Sequence, residues 1–231
     1  MELWRDFWNH ANRVYVNDRH RAVHYRQVAD DILSVLPPRP CSILDFGCGE
    51  ALDAKRVAAR VARLYLYDSS DRVGHGLAAR FAGDRAIVVL DDEAYAALAP
   101  ASLDRVVVNS VIQYLSEDEL RLRLADWRRL LKADGVLVLA DVIPPDAGMA
   151  ADVSSLLTTA WRHGFLAGAL AGLAATLFSD YRRVRGKIGL SMYDEQSLTK
   201  LLQPMGFAIE RRPVNFGFNA RRRTYFARMR P

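Results

Sequence analysis

Ser42-Ile43-Leu44-Asp45-Phe46-Gly47-Cys48-Gly49-Glu50-Ala51 is the stretch that decides the fold. A short apolar run enters a Gly-x-Gly turn, and a helix-forming segment, 51–60, follows at once. Glycine at both positions lets the backbone turn sharply and lets a ligand lie against it with no Cβ in the way. The next apolar run, Leu64-Tyr65-Leu66-Tyr67, stops at Asp68, 21 positions after Gly47. That is close to the roughly 20-residue gap at which a second-strand carboxylate meets a ribose. Together these features predict a site for an adenosine-type cofactor.

A dinucleotide turn would carry its third glycine at position 52, where this chain has Leu52, and no Gly-Lys-Ser/Thr phosphate loop follows. The segment resembles instead motif I of the class I S-adenosylmethionine-dependent methyltransferases: an apolar strand, an acidic residue and Gly-x-Gly-x-Gly. Asp45, Gly47 and Gly49 match, and Ala51 replaces the third glycine. The resemblance implies that Asp45, Gly47, Cys48 and Gly49 run under the methionine part of the cofactor. It implies that Asp68, with Ser69, holds the ribose.

The sequel keeps the family's order. Ala86-Ile87-Val88-Val89-Leu90 reads as a third strand ending at Asp91-Asp92, where the resemblance places an acidic group on the adenine amine. Leu103-Asp104-Arg105-Val106-Val107-Val108-Asn109-Ser110 reads as the fourth strand and its loop, similar to motif IV, with Asn109 and Ser110 implied at the cofactor. Leu130-Leu131-Lys132-Ala133-Asp134-Gly135-Val136-Leu137-Val138-Leu139-Ala140-Asp141 matches a helix end, a glycine turn and a fifth strand; 201–209 resembles the final helix entering the sixth. The expectation is a Rossmann-like α/β fold: a doubly wound, seven-stranded, mostly parallel sheet of order 3-2-1-4-5-7-6. One domain would span 1–231, with a helical cap (1–38), a cofactor core (39–145), a helical lid insertion (146–192), and a last helix with the C-terminal strands (193–231).

At 231 residues, one such domain buries a substantial core. Strands alternating with helical segments as near-continuous apolar runs predict a parallel sheet covered on both faces. The two cysteines, Cys41 and Cys48, bracket the first strand and suit a reducing, cytoplasmic setting rather than a disulfide framework. The net charge of +5 would suit RNA or an anionic membrane surface, but the arginines are interspersed with Asp and Glu and read as solvated surface. A nucleic-acid partner is therefore not expected, although Arg211, Arg212, Arg221, Arg222, Arg223 and Arg228 form a basic cluster on the last strands.

Before the first strand, Trp4, Phe7, Trp8 and Val14, then Val23, Val28, Ile32 and Leu33, predict two helical stretches, the second over 19–36 with Asp18 as its N-cap. In similar methyltransferases such a segment closes over the cofactor; Tyr15, Arg19, His24 and Tyr25 are the candidates to reach its methionine end. After the fifth strand, residues 164–179 carry no charge, a run too short to span a membrane by itself. Gly164, Gly168 and Gly172 fall along one side of a helix. Three uses stay open: a core or homodimer contact, a lid over an apolar substrate, or peripheral membrane contact aided by Arg182, Arg183 and Arg185.

Methyl transfer from a sulfonium is an in-line displacement, so positioning and water exclusion supply most of the rate. A base is needed only where the acceptor must lose a proton. Asp141, His163, His24 and Tyr114 are the catalytic candidates, and Gln113, Tyr114 and Tyr193 the substrate contacts. No zinc spacing or paired carboxylate implies a metal. The reading is a methyltransferase for a small, hydrophobic or lipid-like metabolite. Its rivals are an RNA or protein methyltransferase and a catalytically inactive cofactor-binding regulator.

Overall fold

The computed structural model describes Asn9, residues 15–176 and residues 189–230. The expected first helical stretch around Trp4, Phe7, Trp8 and Val14 lies outside the described residues, as do Arg182, Arg183 and Arg185.

Seven strands form one sheet: β1 (Ser42–Phe46), β2 (Arg63–Tyr67), β3 (Ile87–Leu90), β4 (Leu103–Asn109), β5 (Leu131–Val142), β6 (Phe207–Arg211) and β7 (Arg223–Met229). Their order is β3-β2-β1-β4-β5-β7-β6, the order expected. The first five run parallel, whereas β7 pairs antiparallel with both β5 and β6. Alternating side chains divide the core. Leu44, Phe46, Val106, Val108, Leu137 and Leu139 face one layer, packed on Leu120, Leu124 and Trp127 of α5 (Glu117–Leu130). Ile43, Val107, Val136 and Val138 face the other, packed on Ile32 of α1 (Asp18–Leu33), Val57 of α2 (Ala54–Ala58) and Leu77 of α3 (Asp71–Arg80). The remaining helices are α4 (Asp92–Ala96), α6 (Met149–His163), α7 (Leu166–Thr176) and α8 (Glu195–Leu202). Covering both faces is what permits the unbroken apolar runs 87–90, 106–108 and 136–140 within the strands.

Register then fixes where chemistry falls. Phe46 lies opposite Tyr67 and Val108, Tyr67 opposite Leu90, and Asn109 opposite Ala140. The residues one step beyond this row, Gly47, Asp68 and Asp91, therefore emerge at the same carboxyl edge as Asn109. Ser110 and Asp141 emerge one step further.

The amino-terminal cap departs from expectation at its start. Asn17, not Asp18, caps α1, its Oδ1 accepting the His20 N–H at 2.9 Å, and the helix ends at Leu33, before Pro37. Asn17 holds this place because it lies against the glycine side of the insertion. A Cβ on Gly168 would stand 2.6 Å from Asn17 Nδ2, and one on Gly172 would stand 2.4 Å from Val16 Cγ1. Gly164, at φ +73°, ends α6 in a left-handed turn beside the Arg19 guanidinium. Arg19 Nε donates to the His163 carbonyl, and His20 stacks on Phe165 at 4.9 Å. The glycine stripe thus receives the chain's own residues 16–19, a partner that the helical spacing alone did not specify.

Valine at both 168 and 172 should push residues 16–19 away, since overpacking a close contact costs about 1–3 kcal/mol. Amide exchange at His20 should accelerate while exchange in β1 and β4 stays at the wild-type rate. Unchanged exchange at His20 would contradict this packing.

Candidate active site

The site grows out of the turn after β1. Gly47 and Gly49 sit at φ +74° and +57°, the left-handed region that glycine enters without strain. A Cβ on Gly47 would lie 2.4 Å from Val111 Cγ2, and one on Gly49 would lie 2.6 Å from the Tyr25 hydroxyl. Backbone hydrogen bonds hold the turn on β2: Gly47 and Cys48 N–H both donate to the Tyr67 carbonyl, at 2.7 and 3.2 Å. Asp68 completes the bracket, Oδ2 accepting from Gly49 N–H and Oδ1 from Ser70 N–H, each at 2.9 Å. On the cap side the Tyr25 hydroxyl accepts the Glu50 N–H at 2.8 Å.

A cavity of about 380 Å³ opens over this turn. Asp45, Gly47, Cys48, Gly49, Asp68 and Ser69 line one part of it. Asn109, Ser110, Gln113 and Tyr114 enter from the end of β4 and the 3-10 turn Ile112–Tyr114; Tyr15 and His24 enter from the cap. All of these were candidates from the sequence.

Six other candidates do not line it. Asp91 caps α4, accepting the Ala94 N–H at 2.8 Å, and Asp92 accepts from the hydroxyl of Tyr67, which does line the cavity, at 2.7 Å. Arg19 is engaged with the insertion as described. His163 stands beside Phe218, with ring centroids 5.6 Å apart, so the expected base points elsewhere. Tyr193 is 6 % exposed within the core, its N–H bonded to the Ile143 carbonyl, rather than at a pocket mouth. Asp141, the other expected base, is occupied by an ion pair.

That ion pair involves a residue the sequence reading left in the basic cluster. Arg222, just before β7, lines the cavity; its Nη1 lies 2.5 Å from Asp141 Oδ2 and its Nη2 lies 3.1 Å from Asp152 Oδ1. Asp141 Oδ2 also accepts from Ser110 Oγ at 2.5 Å. Ser110 and Asp141 both have left-handed backbones, φ +57° and +56°, a strained state for residues with a Cβ. Burial alone would lower the Arg222 pKa, but the two carboxylates overcome it and hold the guanidinium charged. Only the topology reveals this residue: Arg223 pairs with Val142, which brings position 222 beside the end of β5. Three more arginines of the basic cluster are engaged. Arg223 lies 3.6 Å from Asp146, and Arg212 and Arg228 stand over the Phe226 ring.

Electrostatics distinguish the carboxylates by the glycine turn from the groups on the cap. Burial, with the Asp68 carboxylate adding to it, pushes Asp45 up to about 7. Burial also raises Asp68, against the two backbone N–H groups that favour its charged form. Two desolvated carboxylates facing a nucleoside-sized space are relieved by a cation, and each Asp68 oxygen retains a lone pair for a hydroxyl. The residues present therefore fit a cationic sulfonium nucleoside. On the cap, burial and the neighbouring His20 bring His24 down to about 4, so its imidazole is neutral at physiological pH. Among the described residues, no group of three or more His, Cys, Asp or Glu is placed to hold a metal ion, and no helix is long and apolar enough to cross a membrane.

The sheet order, the glycine turn and the carboxylate behind it define the class: this is the fold of the class I, S-adenosylmethionine-dependent methyltransferases. Residues 43–135 match the family model of a methyltransferase domain. No curated protein matches the chain. Among solved structures, the pyocyanin biosynthetic protein PhzM is similar at 20 % identity and TM-score 0.57, over 89 % of this chain and 55 % of that one. The magnesium protoporphyrin IX methyltransferase ChlM of Synechocystis PCC 6803, with bound SAH (S-adenosylhomocysteine), is similar at 18 % identity and TM-score 0.57, over 100 % and 94 %. The mitomycin 7-O-methyltransferase MmcR gives 15 % identity and TM-score 0.61, over 90 % and 54 %. The chain thus spans little more than half the length of PhzM and MmcR.

Asp45 makes cofactor binding pH-dependent in a defined direction. A cationic ligand favours the ionised carboxylate, so below pH 7 its binding must expel the Asp45 proton. Calorimetry should show affinity for S-adenosylmethionine falling as pH drops from 8 to 6, by up to about tenfold per unit below 7. The Asp45→Asn variant should bind weakly and without that slope. A slope that persists in the variant would assign the proton to another group.

Proposed function

We propose that the protein transfers the methyl group of S-adenosylmethionine to a small, largely apolar metabolite held beneath the cap. The carrying observation is the cavity's lining: besides the glycine turn and its carboxylates it includes Tyr15, His24, Tyr114, Val111 and Leu115, with a neutral His24 imidazole on the cap. The engagement of Arg212, Arg222, Arg223 and Arg228 within the molecule weighs against the RNA or protein rival. ChlM and MmcR, named as methyltransferases for a porphyrin and for mitomycin, support a small-molecule acceptor here.

Asp45 and the 47–49 turn would hold the methionine part of the cofactor, and Asp68 with Ser69 the ribose. When bound, S-adenosylmethionine supplies an electrophilic methyl group carried on a sulfonium. The chain's own contribution is to orient the acceptor through Gln113 and Tyr114 and to exclude water with Tyr15, Tyr25 and the insertion behind them. His24, at about 4, is a hydrogen-bond acceptor rather than a strong base. Asp141 acts through Arg222 and Ser110, as a positioning residue. Catalysis here rests on placement, and a proton on the acceptor would leave to solvent.

Incubation with methyl-labelled S-adenosylmethionine and a fractionated metabolite extract should put label into organic-soluble small molecules. Label confined to RNA or protein fractions would overturn the substrate class, and no transfer despite tight cofactor binding would favour the inactive regulator.

A further inference from the structure

The helix α7 is uncharged along its whole length yet covered on one side only. Ala169 is fully buried, and Gly168 and Gly172 lie against Asn17 and Val16 of the cap. The opposite side presents Leu166, Ala167, Leu170 and Ala171, with Leu166 37 % and Leu170 54 % exposed. Trp161, in the last turn of α6, is 74 % exposed, the most exposed large apolar side chain among the described residues. A helix this apolar is ordinarily buried all round, and large apolar side chains gathered in the open mark a contact surface.

Charge says which contact. From 153 to 193 the chain carries Arg162, Arg182, Arg183, Arg185 and Lys187 against Asp180 alone. This stretch therefore supplies four of the chain's five net positive charges, and the interspersion of opposite charges that balances the rest stops here. Residues 182–187 lie outside the described residues; their sequence fixes their charge. Two copies meeting through this face would bring like charges together, because a two-fold contact sets each patch against itself. A nucleic acid would match the charge but not the leucines. An anionic lipid surface matches both, with headgroups for the cations and the acyl boundary for the tryptophan and leucines.

We propose that the α6–α7 hairpin docks the protein on an anionic membrane surface, with Trp161, Leu166 and Leu170 entering the headgroup boundary and the basic run 182–187 meeting the headgroups. At eleven residues α7 is about 16 Å long, roughly half the thickness of a bilayer core, so the hairpin lies on the membrane and does not span it. Phe165, between the two helices, stacks on His20, which lines the cavity, so the docked hairpin adjoins the site. The docking surface uses no cavity residue and stands whether or not the cavity transfers methyl groups.

The test is co-sedimentation of the full chain with vesicles of phosphatidylcholine, alone or with about 30 % phosphatidylserine. Wild type should bind the phosphatidylserine vesicles about tenfold or more tightly, and about 0.5 M salt should remove most of that preference. Changing Leu166→Ser and Leu170→Ser together should weaken binding about tenfold or more. Trp161→Ser, at a site with little packing to lose, should do the same and serves should the leucine variant misfold. Joint Arg182→Gln, Arg183→Gln and Arg185→Gln changes should abolish the preference for phosphatidylserine. Equal binding to the two vesicle types, binding to neither, binding unchanged in both the leucine and tryptophan variants, or a preference that survives the arginine changes would overturn the proposal. So would a wild-type dimer in solution that the leucine variant dissociates, since a second copy would then occupy the face.

Discussion

One carboxylate between two loops organises the mouth of the sheet. Asp68 accepts the N–H of Gly49 on the β1 turn and of Ser70 at the start of α3, tying two crossovers into one rim. Charge-assisted hydrogen bonds of this kind are stronger than neutral ones, and here they fix the left-handed turn that glycine makes possible. Their cost is a second carboxylate nearby. Asp45 sits in β1, buried, and the Asp68 charge adds to the desolvation that holds its proton. A cavity with this pair at its floor is unfavourable when ionised and empty of cations. The same arrangement favours a cationic nucleoside, which connects backbone geometry to cofactor choice.

The roof is built differently. Among the described residues the contact between cap and insertion includes the buried Ala160, Phe165 and Ala169, with Val16, Leu156 and Leu157 packed against them. Asn17, Arg19 and the glycine stripe tie the two segments together across this contact.

The sheet and its cofactor edge were readable because each signal is local. Apolar runs, a Gly-x-Gly turn and an acidic residue at the next strand's end are set by a few consecutive residues, and register does the rest. What escaped was set by contacts across the chain. Arg222 looks like one of several surface arginines until β7 is placed beside β5, 81 positions after Asp141. Asp141 reads as a free carboxylate at a strand end until that arginine arrives. Asn17 and Asp18 are equally good N-caps by type, and the choice falls to Asn17 because position 17 lies against Gly168. The glycine spacing announced a close approach but carried no information about what approaches.

The central claim is that Asp68 both braces the glycine turn and holds the nucleoside. Calorimetric titration of S-adenosylhomocysteine into wild type and Asp68→Ala, with hydrogen exchange confirming an intact sheet, tests it most directly. Losing two hydrogen bonds to a charged group predicts binding weaker by on the order of a hundredfold or more. Equal affinity in a folded variant would contradict the account at its root.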